Sequence, residues 1–474
     1  MKTLFRFLPV VILFFIFVTP RNASAQFLKV FKSSPYDQEG LDVLPTADGG
    51  YLIGGYTTNN TLNDCDVLLI KSDGAGNEQW RKTFGGSKPD FPYHMLQAAD
   101  GNYFLVGYSQ SYGGGDYDIL LIKVNSSGVL IWQKTYGSNG NDLARDIIAT
   151  SDGNYMIVGW SKAAGQPDNN ANLIKIDPAG TVIWNKFYGS NADDYGNSIQ
   201  KTDDGGYIMI GQTFGFGASG GDAWLVKLNS NGDTTWTKRF GGSQNDEGYY
   251  LTVANDGGYV FLVRDSSNAG KDIDVRMIKT DPSGNEVWNK VYGGNLKDTP
   301  KMVQKTSDGG YIVAAISRSF GWVNPDMWIL KCNSSGDTTW TRHYGGAQNE
   351  HCYVVREMPD GSFIATGKAA SYGPDFDPIF LKLNSAGTLV VGIEEGKSPT
   401  AFEVFPNPSN GSLSVTIAFQ GKFLEVRDLL GRLVESKQLR GESEVNLQLS
   451  TDPGVYLLTV SDDTRKISKK IIVQ

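Results

Sequence analysis

The stretch from residue 197 to residue 240, NSIQKTDDGGYIMIGQTFGFGASGGDAWLVKLNSNGDTTWTKRF, decides the fold. It contains four short strand-like runs, at Asn197–Thr202, Tyr207–Gln212, Ala223–Leu228 and Thr234–Phe240. Asp204-Gly205-Gly206 separates the first two runs, and Asn229-Ser230-Asn231-Gly232 separates the last two. Because glycine supplies the positive φ of a tight hairpin turn, both separators predict hairpins. Four antiparallel strands in so short a unit are typical of one β-propeller blade.

This unit recurs seven times with a spacing of 52 residues. One tryptophan marks the fourth strand of six copies: Trp80, Trp132, Trp184, Trp236, Trp288 and Trp340. One aspartate opens the first turn of every copy: Asp48, Asp100, Asp152, Asp204, Asp256, Asp308 and Asp360. A blade exposes two apolar faces, so each copy needs neighbours, and we expect each tryptophan to fill the gap between blades. The repeat predicts an all-β, seven-bladed β-propeller over residues 26–391; a β-solenoid is the alternative.

The mature N-terminus shows how the ring closes. Residues 26–31, QFLKVF, match residues 79–84, QWRKTF, with Phe27 in the tryptophan position. The seventh copy lacks its tryptophan, since Thr388-Leu389-Val390-Val391 stands where the other copies have it. We therefore expect the N-terminal strand to complete the seventh blade, which removes an exposed sheet edge.

Residues 1–25 read as a secretory signal peptide. Lys2 and Arg6 precede an apolar run, and Ala23-Ser24-Ala25 supplies the small residues of a cleavage site between Ala25 and Gln26. The sequence after it contains no segment apolar enough to be predicted as a membrane span. The whole chain carries a net charge of −8, which argues against nucleic acid as a partner. Its three cysteines cannot build a disulfide framework.

The 52-residue period ends near residue 391. Residues 392–402 are polar and predict a linker, and residues 403–474 contain further strand-like runs that predict a small Ig-like β-sandwich. Three groups of residues in this segment carry a resemblance. They are Pro406, Asn407 and Pro408 with Asn410 and Gly411; Asp428 and Gly431; and Gly454 and Tyr456 with Lys469 and Lys470.

In this order and at this place the segment resembles the type-A C-terminal sorting domain of type IX secretion cargo. The resemblance implies that the outer-membrane export machinery reads the domain and that a sortase cleaves it. It also implies that the mature protein reaches the bacterial surface or is released, after Sec export to the periplasm. The repeats are similar to the D-G-G-Y repeats of surface cargo of this class.

Two enzyme patterns fail because of their context. Gly217–Gly221 fits G-x-S-x-G, and Gly215–Gly220 fits G-x-G-x-x-G. Both patterns need a strand-to-helix turn, whereas this stretch joins two predicted strands. The sequence predicts no catalytic residue, no resident cofactor and no metal cluster, with Ca²⁺ as the one candidate ligand ion.

One face of the propeller collects repeated polar and aromatic residues. The loops between blades end on Asp90, Asp142, Asp194, Asp246, Asp298 and Glu350, and the loops between second and third strands carry Tyr112, Phe216, Phe320 and Tyr372. We expect an acidic face. Acidic loop ends cap backbone amides, which is the architectural interpretation. The functional interpretation is carbohydrate or cation binding, since carboxylates accept sugar hydroxyls and aromatic rings stack on sugars.

Three functions agree with the sequence. The first is a non-catalytic surface module for binding or adhesion, with a glycan as the candidate ligand. The second is a polysaccharide hydrolase or lyase, which would need two carboxylates in one asymmetric cleft. The third is a structural component of a surface layer. Near-equal blades without long insertions favour the first over the second.

Overall fold

The computed structural model describes most of the chain after residue 26. The described ranges are 27–32, 36–59, 61–162, 167–216, 220–266, 274–320, 324–346, 348–372, 375–389, 402–406, 409–417, 421–428, 432–451, 454–462 and 466–473. The predicted signal peptide, with Ala25 and Gln26, and residues 390–401 lie outside them. All regular elements within these ranges are β-strands. The described ranges hold no helix of the length and apolarity that a membrane span requires.

Twenty-eight strands, β1–β28, build the repeat region. In chain order they are β1 (Phe27–Val30), β2 (Gln38–Pro45), β3 (Tyr51–Asn59), β4 (Thr61–Ser72), β5 (Glu78–Phe84), β6 (Asp90–Gln97), β7 (Tyr103–Ser109), β8 (Asp118–Val124), β9 (Leu130–Tyr136), β10 (Asp142–Ala149), β11 (Tyr155–Ser161), β12 (Asn170–Ile176), β13 (Val182–Tyr188), β14 (Asp194–Lys201), β15 (Tyr207–Thr213), β16 (Asp222–Leu228), β17 (Thr234–Phe240), β18 (Glu247–Val253), β19 (Tyr259–Asp265), β20 (Asp274–Thr280), β21 (Glu286–Tyr292), β22 (Asp298–Lys305), β23 (Tyr311–Ser317), β24 (Asp326–Cys332), β25 (Thr338–Tyr344), β26 (Glu350–Glu357), β27 (Phe363–Ala369) and β28 (Asp377–Leu383).

These strands form seven four-stranded antiparallel sheets. Blades 1 to 6 are β2–β5, β6–β9, β10–β13, β14–β17, β18–β21 and β22–β25, each in sequence order. The first strand of each blade packs against the first strand of the next blade, and β26 packs against β2. The first strands therefore form the inner ring of a closed seven-bladed propeller, as predicted.

Blade 7 combines both ends of the repeat region, with the strand order β1-β28-β27-β26. Phe27 pairs with Lys382, and Val30 pairs with Ile379. The ring of Phe27 is 8% exposed, and its centroid lies 5.0 Å from that of Phe380 and 6.2 Å from that of Tyr51 in blade 1. The predicted closure by the N-terminal strand is confirmed.

The tryptophans lie between blades but are only half-buried. Each ring packs beneath the turn glycine of the following blade. A Cβ on that glycine would come within about 3 Å of the ring in the pairs Trp80–Gly128, Trp132–Gly180, Trp184–Gly232, Trp236–Gly284, Trp288–Gly336 and Trp340–Gly387. These glycines also have positive φ, from 69° to 82°, so two constraints select glycine at one position. The inter-blade position agrees with the prediction, whereas complete burial does not occur.

The aspartate of each D-G-X-Y turn has an architectural partner in blades 1 to 6. It forms an ion pair with a buried lysine of the third strand: Lys71–Asp48, Lys123–Asp100, Lys175–Asp152, Lys227–Asp204, Lys279–Asp256 and Lys331–Asp308. Burial of Asp204 opposes ionisation, but hydrogen bonds from Lys227 and Thr202 outweigh it and lower the pKa of Asp204 to about 2. The repeated turn aspartate therefore has a structural role.

The C-terminal segment forms two packed sheets from β29 (Phe402–Phe405), β30 (Ser412–Ile417), β31 (Phe423–Asp428), β32 (Leu433–Gln438), β33 (Glu444–Gln448), β34 (Gly454–Ser461) and β35 (Lys466–Val473). Their orders are β29-β30-β33 and β32-β31-β34-β35. Val415, Val426 and Leu458 are fully buried between them. Phe402, the last residue of the predicted linker, is 1% exposed in this core.

Candidate functional site

A β-bulge recurs in the inner strand of every blade. In blade 6, for example, the pairing register shifts between Pro300 and Met302. The residue at the bulge has no ladder partner, so its side chain is re-aimed. The bulged residues Leu41, Tyr93, Arg145, Asn197, Tyr249, Lys301 and Tyr353 all line one cavity of about 290 Å³ along the propeller axis. We call this space the inner cavity.

The bulged residues that line the inner cavity differ between the repeats. The same register position holds leucine, arginine, asparagine, lysine and three tyrosines, whereas the turn aspartate is unchanged in all seven copies. Identical side chains would produce a sevenfold ring, but these residues produce a site with distinct sides. Asymmetry is what a ligand with several different groups requires.

A second cavity of about 440 Å³ adjoins the inner cavity, with which it shares Glu39, Tyr249, Lys301 and Tyr353. Loop residues Lys297, Arg318 and Pro325 also line it. These loops lie on the face of the propeller that carries the inter-blade loops and the loops between second and third strands. This second space is therefore the mouth of the channel, and we call it the mouth cavity.

The two cavities are strongly cationic. Six cationic side chains line them, namely Arg145, Arg264, Lys297, Lys301, Arg318 and Lys368. Two carboxylates, Glu39 and Glu247, accompany these cations. The local surplus of four positive charges contrasts with a chain of net charge −8. The expected acidic face is thus wrong at the channel mouth, because the repeated loop carboxylates lie below the surface while cations surround the opening.

Several of these cations keep unused hydrogen-bonding capacity. Lys368 pairs with Glu39 at 2.6 Å, and Arg264 approaches Glu247 at 3.8 Å. The Nε atoms of Arg145 and Arg264 are buried and find no hydrogen-bond partner among the described residues. Since a buried guanidinium N–H normally has an acceptor, these donors are available to a ligand in the cavities.

The pKa values of two lining residues show the effect of the neighbouring positive charges. Burial lowers the pKa of Lys301 to about 8, with Arg145 and Arg264 acting in the same direction and Glu247 opposing them. Burial, followed by the charges of Lys368, Lys301 and Arg318, lowers the pKa of His351 to about 3. A neutral His351 thus lies among cations, and an anion bound there would relieve their mutual repulsion.

A separate network of ion pairs lies beside the inner cavity. His94 contacts Asp146 at 2.8 Å and Asp42 at 3.4 Å, and Arg356 contacts Asp42 at 2.9 Å. Burial disfavours the charged imidazolium, but Asp146 and Asp42 outweigh it and raise the pKa of His94. All four groups have hydrogen-bonded or ionic partners, so we interpret the network as a clamp between blades 1, 2, 3 and 7.

The six repeated loop-end carboxylates are fully buried. Asp90, Asp142, Asp194, Asp246, Asp298 and Glu350 are each 0% exposed. Each accepts a hydrogen bond, at 2.5–3.0 Å, from the backbone N–H four residues earlier. This geometry favours the architectural interpretation. Their ligand-binding role stays a prediction, as does Ca²⁺ binding; the described residues contain no group of three or more His, Cys, Asp or Glu side chains placed to hold a metal ion.

The four loop aromatics lie on the same face but do not line the two cavities. Tyr112, Phe216 and Phe320 are 38%, 51% and 40% exposed, and Tyr372 is half-buried. Phe320 packs on Trp328 with ring centroids 5.3 Å apart. These rings cover the outer parts of the blades, so their predicted ligand role is untested and separate from the channel. Residues 217–219, within both rejected enzyme patterns, lie outside the described ranges.

Sequence reasoning missed the channel residues. The signal was present in the inner strand of blades 2 to 7, where the residue three positions after the loop-end carboxylate varies between copies. The alternation of side chains along a strand does not reveal a bulge. A strict two-residue period assigns every residue of the strand a partner on the neighbouring strand. His94 lies in β6.

The sorting-motif residues lie within the C-terminal sandwich. Gly411 has a φ of 96°, and Asp428 accepts the backbone N–H of Arg432 at 2.9 Å. Gly454 begins β34, and Tyr456 is 7% exposed. Lys469 lies 5.6 Å from the centre of the Phe402 ring. Pro406 and Asn410 lie in the described ranges, whereas Asn407, Pro408 and Gly431, and the side chain of Lys470, are outside the description.

A family comparison decides the nature of this domain. Residues 403–474 match the secretion system C-terminal sorting domain family. The C-terminal domain is a secretion sorting domain. The match confirms the type IX cargo prediction, and with it export to the cell surface or the extracellular space. A sorting domain implies interaction with the export machinery.

The remaining comparisons are with one related sequence and with solved structures. The chain is 27% identical over 164 residues to the regulatory protein FlaEY of Caulobacter vibrioides, a match that covers 30% of this chain and 17% of FlaEY. PorZ, an essential bacterial surface component of the type IX secretion system of Porphyromonas gingivalis, is 13% identical with a TM-score of 0.45; the likeness covers 90% of this chain and 58% of PorZ.

The β-propeller domain of Cps50 (Swd1) from Myceliophteria thermophila is 11% identical with a TM-score of 0.44, covering 74% of this chain and 99% of that domain. Each TM-score is below 0.5, so the assignment of a propeller depends on the chain's own sheet order and closure.

Proposed function

We propose that this protein is a non-catalytic binding module that the type IX pathway displays at the bacterial surface, with its ligand site in the channel. The asymmetric ring of bulged residues carries the proposal. All seven copies keep the turn aspartate and six keep the turn ion pair and the tryptophan, yet the position that lines the cavity holds five different residue types. A shared scaffold with variable side chains at the cavity wall is typical of a binding site on a repeat protein.

The chemistry of the cavities favours binding over hydrolysis. A glycosidase needs a protonated carboxylic acid beside a second carboxylate. In the described chain, burial raises the carboxyl pKa of Asp142, Asp194 and Asp326, and none of these three lines either cavity. Glu39 accepts hydrogen bonds from the hydroxyl of Tyr353 at 2.7 Å and from Lys368 at 2.6 Å, so both of its oxygens are engaged by protein donors.

The experiment combines binding and turnover on the mature chain. A glycan array and calorimetry measure binding, and reducing-end and unsaturated-product assays on the same polysaccharides measure hydrolysis and lyase activity. We expect saturable binding without product, and we expect substitution of Arg145 and Lys301 by methionine to remove it. Turnover that is lost in the same variants would replace the binding proposal with the enzyme alternative. Absence of any ligand would favour the structural alternative.

A further inference from the structure

We propose that the mouth cavity binds an acidic saccharide through the carboxylate of a uronate unit. This inference depends on the proposed binding function and names the class of ligand. It starts from the charge surplus around Lys297, Lys301 and Arg318 in a chain that is otherwise acidic. Such a concentration of like charge costs stability, since the cations repel one another, and an anionic ligand compensates for that repulsion.

The donors in the cavities suit a carboxylate. Guanidinium groups bind planar carboxylates through two parallel N–H donors. Arg264 in the mouth cavity and Arg145 in the adjoining inner cavity each keep a buried Nε without an acceptor among the described residues. Arg145 is stacked on Tyr93, with the guanidinium carbon 4.1 Å from the ring centre, so its fork is held in place before a ligand arrives.

The remaining lining argues for a saccharide rather than a bare oxyanion. Glu39 lines the mouth cavity and Glu247 the adjoining inner cavity, and their negative charges oppose a multiply charged phosphate or sulfate more strongly than the single charge of a uronate. The rings of Tyr249 and Tyr353 line both cavities and provide apolar surface. The mouth cavity, at about 440 Å³, lies within the usual range of roughly 300–1,000 Å³ for ligand pockets.

The side chain of Lys301 lies close to two tyrosine rings of the site. Its ammonium lies 5.4 Å from the ring centre of Tyr249 and 5.5 Å from that of Tyr353. Burial has already lowered the pKa of Lys301 to about 8. A bound carboxylate would favour the charged ammonium, so binding should take up a fraction of a proton near pH 8.

The test is calorimetry on the mature chain with galacturonate, glucuronate and mannuronate trimers and with their methyl esters. Esterification removes the charge and keeps the sugar. We expect at least one acid trimer to bind at least tenfold more tightly than its ester, with affinity that falls as salt rises. We also expect the observed binding enthalpy at pH 8 to vary with the ionisation enthalpy of the buffer, since this variation measures the proton uptake. Inorganic phosphate and sulfate form the other arm.

The variants are Lys297→Gln and Arg318→Gln, both at exposed loop positions, with Lys82→Gln as the matched control. Lys82 is exposed on outer strand β5 and does not line the cavities, yet its substitution changes the charge equally. We expect each mouth variant to weaken acid-trimer binding at least tenfold and the control to leave it unchanged. Near-UV circular dichroism verifies folding.

The outcomes separate this inference from the function on which it depends. Equal binding of acid and ester would overturn the uronate proposal and keep the binding function. Tighter binding of phosphate or sulfate would make the site a simple oxyanion site and overturn the saccharide. No binding of any trimer would also overturn it, whereas hydrolysis of the trimers would overturn the non-catalytic function.

Discussion

Asp326 and Glu350 form a carboxyl pair at the junction of blades 6 and 7. A Cβ on Gly345 would lie 1.8 Å from Oδ1 of Asp326 and 3.0 Å from Oε2 of Glu350, so the two acids flank the same glycine. Glu350 accepts backbone N–H groups of Gly346 at 2.7 Å and Ser371 at 2.8 Å. Burial, with the nearby Glu350 carboxylate, raises the pKa of Asp326 to about 7.

The sign of the effect on stability follows from proton binding. Between about pH 4 and pH 7, native Asp326 keeps a proton that the unfolded chain has lost, so the free energy of unfolding falls as pH rises. A pKa of about 7 against the ordinary 3.8 corresponds to at most about 4 kcal/mol, at 1.36 kcal/mol per pH unit. Solvent near the junction screens part of this, and we expect about 2 kcal/mol.

Asp326→Asn removes the titration and keeps the shape of the neutral acid. We expect this variant to match the parent near pH 4 and to be about 2 kcal/mol more stable at pH 8. Denaturant unfolding at pH 4, 5, 6, 7 and 8 measures the difference. The matched control is Asp222→Asn in blade 4, where Arg239 pairs with Asp222 at 2.7 Å. That variant should lose about 1 kcal/mol at pH 8. Equal pH profiles for the parent and Asp326→Asn would refute the reasoning.

Three further predictions concern export, inter-blade packing and the turn ion pairs. Deletion of residues 402–474 should leave a folded propeller in the periplasm, and surface proteolysis of intact cells that still detects the truncated protein would contradict the sorting role. Because Trp236 is half-buried, Trp236→Ala should cost about 2–3 kcal/mol rather than the ~3–5 of a buried ring, and Phe27→Ala should cost more because it also loosens closure; denaturant midpoints decide. Asp204→Asn should cost about 1 kcal/mol at neutral pH, and since the pKa of Asp204 is about 2, that cost should vanish as the pH falls from 4 through 2. Unfolding curves at pH 2 and pH 7 that show the same loss would contradict this last prediction.

The repeat made most of the fold predictable from the sequence. In blade 4 the expected strands Tyr207–Gln212 and Thr234–Phe240 differ from the observed bounds by at most one residue. Gly232 could be assigned to a turn because only glycine is favoured at its φ of 82°. Ring closure was predictable because Phe27 occupies the tryptophan position that the seventh copy lacks.

The candidate site was less predictable for two physical reasons. Repetition drew attention to Asp142 and Asp194, whose side chains cap amides inside blade junctions and are 0% exposed. The functional candidates instead lie at bulges, where Arg145 and Lys301 leave the ladder. Bulges depend on how inner strands curve around the axis, which pairwise alternation does not encode. The cationic mouth also requires residues from blades 5, 6 and 7 to converge in space, which chain order does not show.

Positions that repeat in the blades stabilise the fold, and the proposed ligand site uses positions that vary between the blades. Lys227 and Asp204 recur because each blade must close its own turn, and Trp236 recurs because each blade must cover the next. The proposed ligand site takes residues from several blades, so it requires no common residue at equivalent positions, and Arg145, Tyr249 and Lys301 differ accordingly. The same argument explains how an acidic chain presents a cationic mouth. The acidic residues concentrate in the turns and loops, whereas a few inner-strand and loop residues determine the potential in the channel.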